Sequence, residues 1–443
     1  MLIEFSVKNF LSFRDLNKLS MVGVKAFKEH ESTNTFPIGH DLKLLKSSGI
    51  YGNNASGKSN LLDSVDFMKW LVLNSFRDAL VEDENKSIPL KKFKLSEESD
   101  EIPSEFEIVF IKGDKKYRYG FELDYDRVVS EWLYHTTSKE VPLFTRSDDE
   151  FYINKSSFDE GTKLEDKTKK NVLFLTLVAQ FNGEISNTVV EWFKDLKIIS
   201  GIHDYRYKKY TIDKIKNDGK FRAWASNFIQ FLEIVDLDTS EEEVGKINID
   251  EIKDKEVGEE VIDLFTSLQK FLEKKPKQDR LTTWHRKFNR ENVFTETVPF
   301  DFLKEESEGT KKFIYLLGPW YDVLKNGKVL FVDEIDSRLH SLLTIKLVEL
   351  FHEFNKKNAQ LIFASHDTNL MDKDIFRRDQ IWFVEKNQFG ASELYSLSDF
   401  KSARVRKKTA FEKNYKEGKY GAIPYIESES KLAEILHGEE EKV

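Results

Sequence analysis

Ser47-Ser48-Gly49-Ile50-Tyr51-Gly52-Asn53-Asn54-Ala55-Ser56-Gly57-Lys58-Ser59-Asn60 is the stretch that decides the fold. Gly52 to Ser59 fits G-x-x-x-x-G-K-[S/T], the phosphate-binding P-loop. The apolar run at Ile50 and Tyr51 reads as a strand. Leu61, Leu62, Val65, Met68, Leu71 and Val72 then recur at helical spacing. Strand, glycine loop and helix are the context in which the motif works. Gly52 and Gly57 let the backbone turn tightly around an anion. The N–H groups of Asn53, Asn54, Ala55, Ser56 and Asn60 lie at the loop and helix start, where they can point at phosphate oxygens. Lys58 can set its ammonium on the outer phosphates and Ser59 its hydroxyl on a Mg²⁺ ion.

A second acidic element lies far downstream. Val329-Leu330-Phe331-Val332 is a short continuous apolar run, as in a buried parallel strand, and it ends in Asp333-Glu334-Ile335-Asp336. An apolar strand closed by two acids is a Walker B element. It assigns Asp333 to Mg²⁺ and places Glu334 to orient or deprotonate an attacking water. Leu339, Leu342, Leu343, Leu347 and Leu350 mark the next helix and Gln360 to Ala364 the next strand, which together make a βαβ unit. Ser365-His366-Asp367 follows at that strand's C-terminal end, where open α/β sheets bind ligands. His366 can there hydrogen-bond a terminal phosphate. Upstream, Glu306-Ser307-Glu308-Gly309-Thr310 opens a helix containing Phe313, Ile314, Leu316, Leu317 and Trp320. A Ser and a Gly at a helix start form an anion site, and they also form an ordinary N-cap.

The composition sets limits on partners. The net charge of −9 argues against coating nucleic acid by bulk charge, though not against a local basic patch. The absence of cysteine excludes disulfides, thiolate metal sites and Cys nucleophiles, and suits a reducing, cytoplasmic setting. The start, Met1-Leu2-Ile3-Glu4-Phe5, lacks the basic region and apolar core of a signal peptide. No apolar run approaches a membrane span.

Between these motifs the hydrophobic period divides the chain. Residues 1–164 read as a first strand, the P-loop unit and an antiparallel lobe, with a hairpin over Phe106 to Leu123 turning at Lys112-Gly113-Asp114-Lys115. Further strands are expected at Val129 to Tyr134 and Phe151 to Ile153. Residues 165–297 read as a mostly helical, highly charged arm. Between Glu233 and Asp263 this arm carries 13 acidic and 3 basic side chains, as in a solvated helix with a flexible acidic loop. Residues 298–400 resume the α/β pattern, with short strands at 381–384 and 393–397. Residues 401–443 form a polar tail, in which 8 basic and 2 acidic residues fall between Lys401 and Tyr420.

The order P-loop, Ser-x-Gly helix start, Walker B with its Glu and Asp, and a His one strand on resembles the ABC-type ATPase head of SMC, RecF and OLD-like proteins. The opening Phe5-x-Val7-x-Asn9-Phe10-x-Ser12-Phe13 resembles the first strand of that group. The tail from Phe411-Glu412-Lys413-Asn414-Tyr415 to Gly418-Lys419-Tyr420-Gly421-Ala422-Ile423-Pro424 resembles the ATPase subunits of bacterial abortive-infection systems. The resemblance implies an α/β fold: an ABC-type P-loop head with an antiparallel β lobe and an inserted helical arm. It implies ATP and Mg²⁺ as ligands, with Lys58 and Ser59 on phosphates and Mg²⁺, Asp333 on Mg²⁺ and Glu334 as catalytic base. Asp336 would be the D-loop acid, His366 the switch histidine and Gln180 the candidate Q-loop glutamine. Ser307 and Gly309 would reach the γ-phosphate held by a second subunit, in a homodimer or larger homo-oligomer that sandwiches ATP. The resemblance further implies an effector in trans, often a Toprim-type nuclease, and a phage trigger. The signature departs from Leu-Ser-Gly-Gly-Gln, because Glu306, Glu308 and Thr310 replace three of its residues and put acids beside an anion site.

Three other readings fit parts of the pattern. A RecF- or SMC-like ATPase of DNA repair or maintenance would bind DNA directly, through contacts such as the basic tail, in a salt-dependent way. A transporter cassette would not separate Ser59 so widely from Ser307. A self-contained nuclease would need a Toprim domain after Asp399, and no clustered Asp-x-Asp follows it.

Overall fold

The computed structural model describes residues 1–39, 41–81, 87–202, 205–242, 278–400 and 410–423. In chain order the strands are β1 (Leu2–Lys8), β2 (Asn17–Ser20), β3 (Thr35–Ile38), β4 (Leu42–Leu45), β5 (Ser47–Tyr51), β6 (Ser104–Lys112), β7 (Lys115–Leu123), β8 (Val128–Thr136), β9 (Glu140–Ser147) and β10 (Glu150–Ile153). They continue as β11 (Lys197–Ser200), β12 (Ile234–Glu242), β13 (Gln278–Phe288), β14 (Phe294–Asp301), β15 (Val329–Asp333), β16 (Gln360–Ala364), β17 (Ile381–Lys386) and β18 (Ser392–Ser396). The helices are α1 (Glu31–Asn34), α2 (Lys58–Val81), α3 (Phe174–Gln180), α4 (Glu184–Asp195), α5 (Tyr205–Asn217), α6 (Gly219–Phe228), α7 (Phe302–Glu305), α8 (Glu308–Asn326), α9 (Ser341–Phe354) and α10 (Phe411–Lys416).

These elements form two compact units, one of residues 1–200, 326–336 and 344–443, the other of 201–325 and 337–343. In the first, a six-stranded sheet runs β11-β15-β16-β5-β17-β18, with β18 antiparallel to β17 and the other pairs parallel. A seven-stranded antiparallel sheet runs β10-β9-β8-β7-β6-β1-β2. Helix α2 supplies the core between them. Its Leu61, Leu62, Val65, Met68, Leu71 and Val72 cluster with Phe106, Ile108 and Phe110 of one sheet and Phe331 and Ile362 of the other. Each such side chain, fully buried, contributes about 1.5–3 kcal/mol. Central strands β5 and β16 are buried along their whole length, which is why their sequence is apolar or small instead of alternating.

The expected β6–β7 hairpin closes with Lys112 opposite Lys115, and the strands expected near 129–134 and 151–153 are β8 and β10. The βαβ unit is β15-α9-β16, with its strands parallel and adjacent.

The arm over 165–297 holds helices α3, α4, α5 and α6, and it also has strands that its helical reading did not expect. It contains β11, β12 and β13, and the second unit is built around the three-stranded sheet β12-β13-β14. Leu281-Thr282-Thr283-Trp284 is rich in strand formers, and the charged residues around it mask the alternation. Residues 243–263 of the acidic run lie outside the described residues, as do 401–409 and 424–443 of the tail. Where the tail is described it is not simply solvated. Phe411, Tyr415, Tyr420 and Ala422 are buried, Tyr415 stacks on Phe383 of β17, and Tyr395 donates from its hydroxyl to the Tyr420 carbonyl at 2.7 Å.

Helix α8 of the second unit contains Pro319, which removes the N–H that would serve the Tyr315 carbonyl. The structure repairs the gap locally: Thr211 of α5 donates from Oγ1 to that carbonyl at 2.5 Å. Neighbouring Gly318 leaves room for Thr211, since a Cβ at this position would stand 2.2 Å from the threonine Oγ1.

Candidate functional site

Strand β5 lies directly between β16 and β17, and β16 lies between β5 and β15. All four are parallel, so the residues leaving β5, β15 and β16 emerge at one edge of the sheet. That register brings the P-loop, Asp333-Glu334 and Ser365-His366 together from segments far apart in sequence.

The P-loop is held by close packing. Gly57 has φ 114° and contacts two serines, so a Cβ there would lie 2.4 Å from Ser392 Oγ and 2.7 Å from Ser12 Oγ. Those serines belong to a polar relay. Asn60 Nδ2 donates to Ser12 Oγ at 2.7 Å, Ser12 Oγ stands 2.7 Å from Ser392 Oγ, and Ser392 Oγ donates to the Ser56 carbonyl at 2.5 Å. The relay ties the turn after β1, the P-loop and the start of β18 into one block. The turn that presents Ser12 is set by Asn9, which adopts a left-handed backbone and donates from Nδ2 to the carbonyls of Ser99 and Ile102. Ser12 and Ser392 were not among the candidate residues. The Asn-Phe-x-Ser-Phe spacing after β1 was the only signal for Ser12, and nothing local marks Ser392.

Lys58 curls back on its own loop and donates to the carbonyls of Gly52 at 2.9 Å and Asn53 at 3.0 Å. Burial pulls its ammonium down to about pKa 8, against the upward pull of Asp333, Glu334 and Asp336. Asp333 accepts hydrogen bonds from the Ser59 hydroxyl and the Glu334 N–H. Burial nevertheless holds its carboxyl above the usual range, with Ser59 and Lys58 only partly offsetting it. Its Oδ1 is buried without a hydrogen-bond partner, as are Asn53 Oδ1 and Ser56 Oγ in the loop opposite. Buried polar atoms in native proteins are normally paired. A hydroxyl, a carboxylate with a spare oxygen and a lysine at a helix start are the donor set that a Mg²⁺–phosphate group takes.

Glu334 has φ 48°, a left-handed backbone that costs a non-glycine residue on the order of 1 kcal/mol and clusters at functional sites. No sequence pattern announces it. Asp336 accepts from the His366 N–H at 3.3 Å on both oxygens, which fixes the backbone that carries the exposed imidazole. Two residues on, Thr368 donates from Oγ1 to Glu412 of α10 at 3.3 Å, so the tail helix touches the segment that follows His366.

Gln180 is not brought to this group. It ends α3, whose Thr176 meets Ser75 of α2 at 2.9 Å, hydroxyl to hydroxyl. Ser75 lies about 24 Å along α2 from Ser59, and the turn from Thr176 to Gln180 spans only about 6 Å.

The second unit carries Ser307 and Gly309. Ser307 is exposed and caps α8, accepting from the Thr310 N–H at 3.1 Å. The acids beside it are compensated. Glu308 pairs with Lys311 at 2.8 Å and with Arg338 at 3.8 Å. Glu306 turns inward, with a side chain 8% exposed, and pairs with His285 at 2.7 Å. The Leu-to-Glu departure therefore adds no charge to the face that Ser307 presents.

A parallel sheet with a P-loop and an Asp-Glu strand end at one edge, joined to an antiparallel lobe, is the fold of an ABC-type P-loop ATPase head. Residues 47–372 match the family described as "AAA domain, putative AbiEii toxin, Type IV TA system", and the chain belongs to that family. No curated protein matches the chain. Among solved structures it is similar to the SMC head domain from Thermotoga maritima, at 14% identity and TM-score 0.39 over 89% of this chain and 98% of that one. An SMC head bound to the C-winged helix domain of ScpA is similar at 13% identity and TM-score 0.42, over 89% and 97%. Among the described residues no helix is long and apolar enough to cross a membrane.

Proposed function

We propose that the protein binds and hydrolyses ATP with Mg²⁺, and that two copies close around the nucleotide. The observation that carries the first part is the half-buried Asp333 carboxylate, bonded to Ser59, whose Oδ1 is buried without a partner beside Lys58. Ser59 and Asp333 would hold Mg²⁺, which supplies charge neutralisation on the phosphates. Lys58 exchanges its two carbonyl bonds for phosphate oxygens. Glu334, on its strained turn, orients or deprotonates water, and His366 faces the terminal phosphate from the next strand.

Replacing Glu334 by Gln keeps shape and hydrogen bonding and removes the base. Turnover is expected to fall by about 10²–10⁴-fold with nucleotide binding retained. Phosphate release and nucleotide binding measured on the same protein check this; unchanged turnover removes the catalytic assignment.

The two-subunit reading is supported by the exposed Ser307 cap and the neutralised acids around it. Mixing Lys58→Ala with Ser307→Arg tests it. Each variant alone is inactive, and a mixed dimer keeps one site with both halves intact, so mixing restores part of the turnover.

In this reading ATP acts as a clamp whose closure controls a toxic output. The family's description as a toxin of a toxin–antitoxin system supports such an output. An effector protein in trans, with the inserted arm holding it and a phage trigger acting on it, completes the proposal. Co-purification of an effector, set against a shift of duplex DNA by the protein alone at physiological salt, separates it from a repair-type DNA-binding ATPase.

A further inference from the structure

Immediately before Ser307 the chain is anchored at one point. Glu306 sends its carboxylate into the second unit, where a single oxygen, Oε1, accepts from Thr283 Oγ1 at 2.5 Å and lies 2.7 Å from His285 Nε2. Thr283 is fully buried. Thr283 and His285 are two apart on β13, so they share one face of the strand and converge on the same atom. The His285 ring is in turn held against Phe300 of β14, with centroids 4.3 Å apart. Earlier on the same strand, Arg280 pairs with Asp301, and Asp301 accepts from the Leu303 N–H to cap α7. Both ends of the short segment Asp301–Glu306 are therefore fixed to β13, and Ser307 is the first residue free of it.

We propose that His285 and Thr283 are positioning residues for the nucleotide reaction, holding Glu306 so that Ser307 and the start of α8 meet a phosphate at the correct distance. This rests on the reading that Ser307 acts on nucleotide bound by a second copy. His285 and Thr283 touch neither nucleotide nor metal. Their effect passes through Glu306 to the backbone of Ser307, and a displacement of about 1 Å in such a support lowers turnover by about 10²-fold. A structural role confined to folding would change stability and leave the complementation class undefined.

The test uses the full chain. His285→Ala, His285→Gln, Ser307→Arg and Lys58→Ala are purified, and ATP turnover is measured for each alone and in equimolar mixtures, with binding of a fluorescent ATP analogue measured in parallel. His285→Ala is expected to bind the analogue as the parent does, with KM unchanged and kcat lowered at least tenfold. Mixing with Lys58→Ala restores turnover and mixing with Ser307→Arg does not, because His285→Ala is defective in the same half-site as Ser307→Arg. His285→Gln, which keeps a nitrogen donor at the Nε2 position, regains most of the parent kcat. Parent-like turnover in His285→Ala, or restoration by Ser307→Arg, overturns the proposal. If His285→Ala fails to fold, Thr283→Val, of nearly the same shape, carries the same expectations and the same refutations. If Lys58→Ala and Ser307→Arg do not restore each other, the two-copy reading falls first. If they do and His285→Ala is parent-like, only this inference falls.

Discussion

The two regions that carry candidate site residues, the P-loop and the start of α8 at Ser307, are built on opposite principles. At the P-loop Gly52, Ser56, Gly57 and Lys58 are buried, the backbone is held at left-handed angles at Ala55, Gly57 and Glu334, and two serines from distant segments, Ser12 and Ser392, lock the loop. Around Ser307 the surface is open, and one anchored side chain, Glu306, fixes the residue just before it. The first half is pre-formed, so binding costs little rearrangement. The second is a surface feature whose placement is set from behind. Under the proposed two-copy reading, the pre-formed loop waits and its externally positioned counterpart arrives.

That contrast can be broken most sharply at the glycines. Gly57→Ala meets both a positive φ and two serine hydroxyls, and should weaken nucleotide binding by about 10²-fold, given a strain of the order of 1–3 kcal/mol. Gly309→Ala meets the Arg338 carbonyl at 3.0 Å and Ser307 Oγ at 3.8 Å, and should leave binding to the P-loop unchanged. Equal losses in a titration with labelled nucleotide would erase the distinction. A pH series comes next. With its pKa near 8 in the free protein, Lys58 loses its proton as pH rises through 8, while phosphate favours the charged form. Nucleotide binding should therefore take up a proton above that pH, and affinity should fall by up to about tenfold per pH unit, flattening below pH 7. Calorimetry in buffers of different ionisation enthalpy reads the proton directly.

Smaller effects sharpen the picture. Ser392→Ala removes one hydroxyl from the relay and should cost about 1 kcal/mol in thermal or denaturant stability. Glu308→Gln, at an exposed pair on the open half, should change turnover by less than about threefold. A large loss there would mean the acid takes part in the reaction.

The chemistry on β5, β15 and β16 was legible in sequence because it is written in local patterns: a glycine spacing, an apolar run ended by acids, a His at a strand end. The Thr211 repair of the Pro319 gap, the Ser12–Ser392 contact and the docking of Tyr415 on Phe383 were not legible, because each joins residues chosen by the tertiary fold alone. β13 was hidden for another reason. Asp279, Arg280, Arg286 and Lys287 break up its alternation, while Leu281 and Thr283 carry the buried strand face. Gln180 shows the reverse error, a residue of the right type placed by the fold at the far end of α2.

The position of Ser392 also bears on synthesis. Strand β5 has as its neighbours β16 and β17, and its loop is closed by a residue that leaves the ribosome 340 positions after Gly52 (392 − 52). During translation the glycine loop is made well before β17 and β18, and stays without these walls until they emerge. Contacts so distant along the chain form slowly. A nascent chain therefore acquires its grip on nucleotide only after β18 has emerged, and products that end before β18 carry the motif without the pocket.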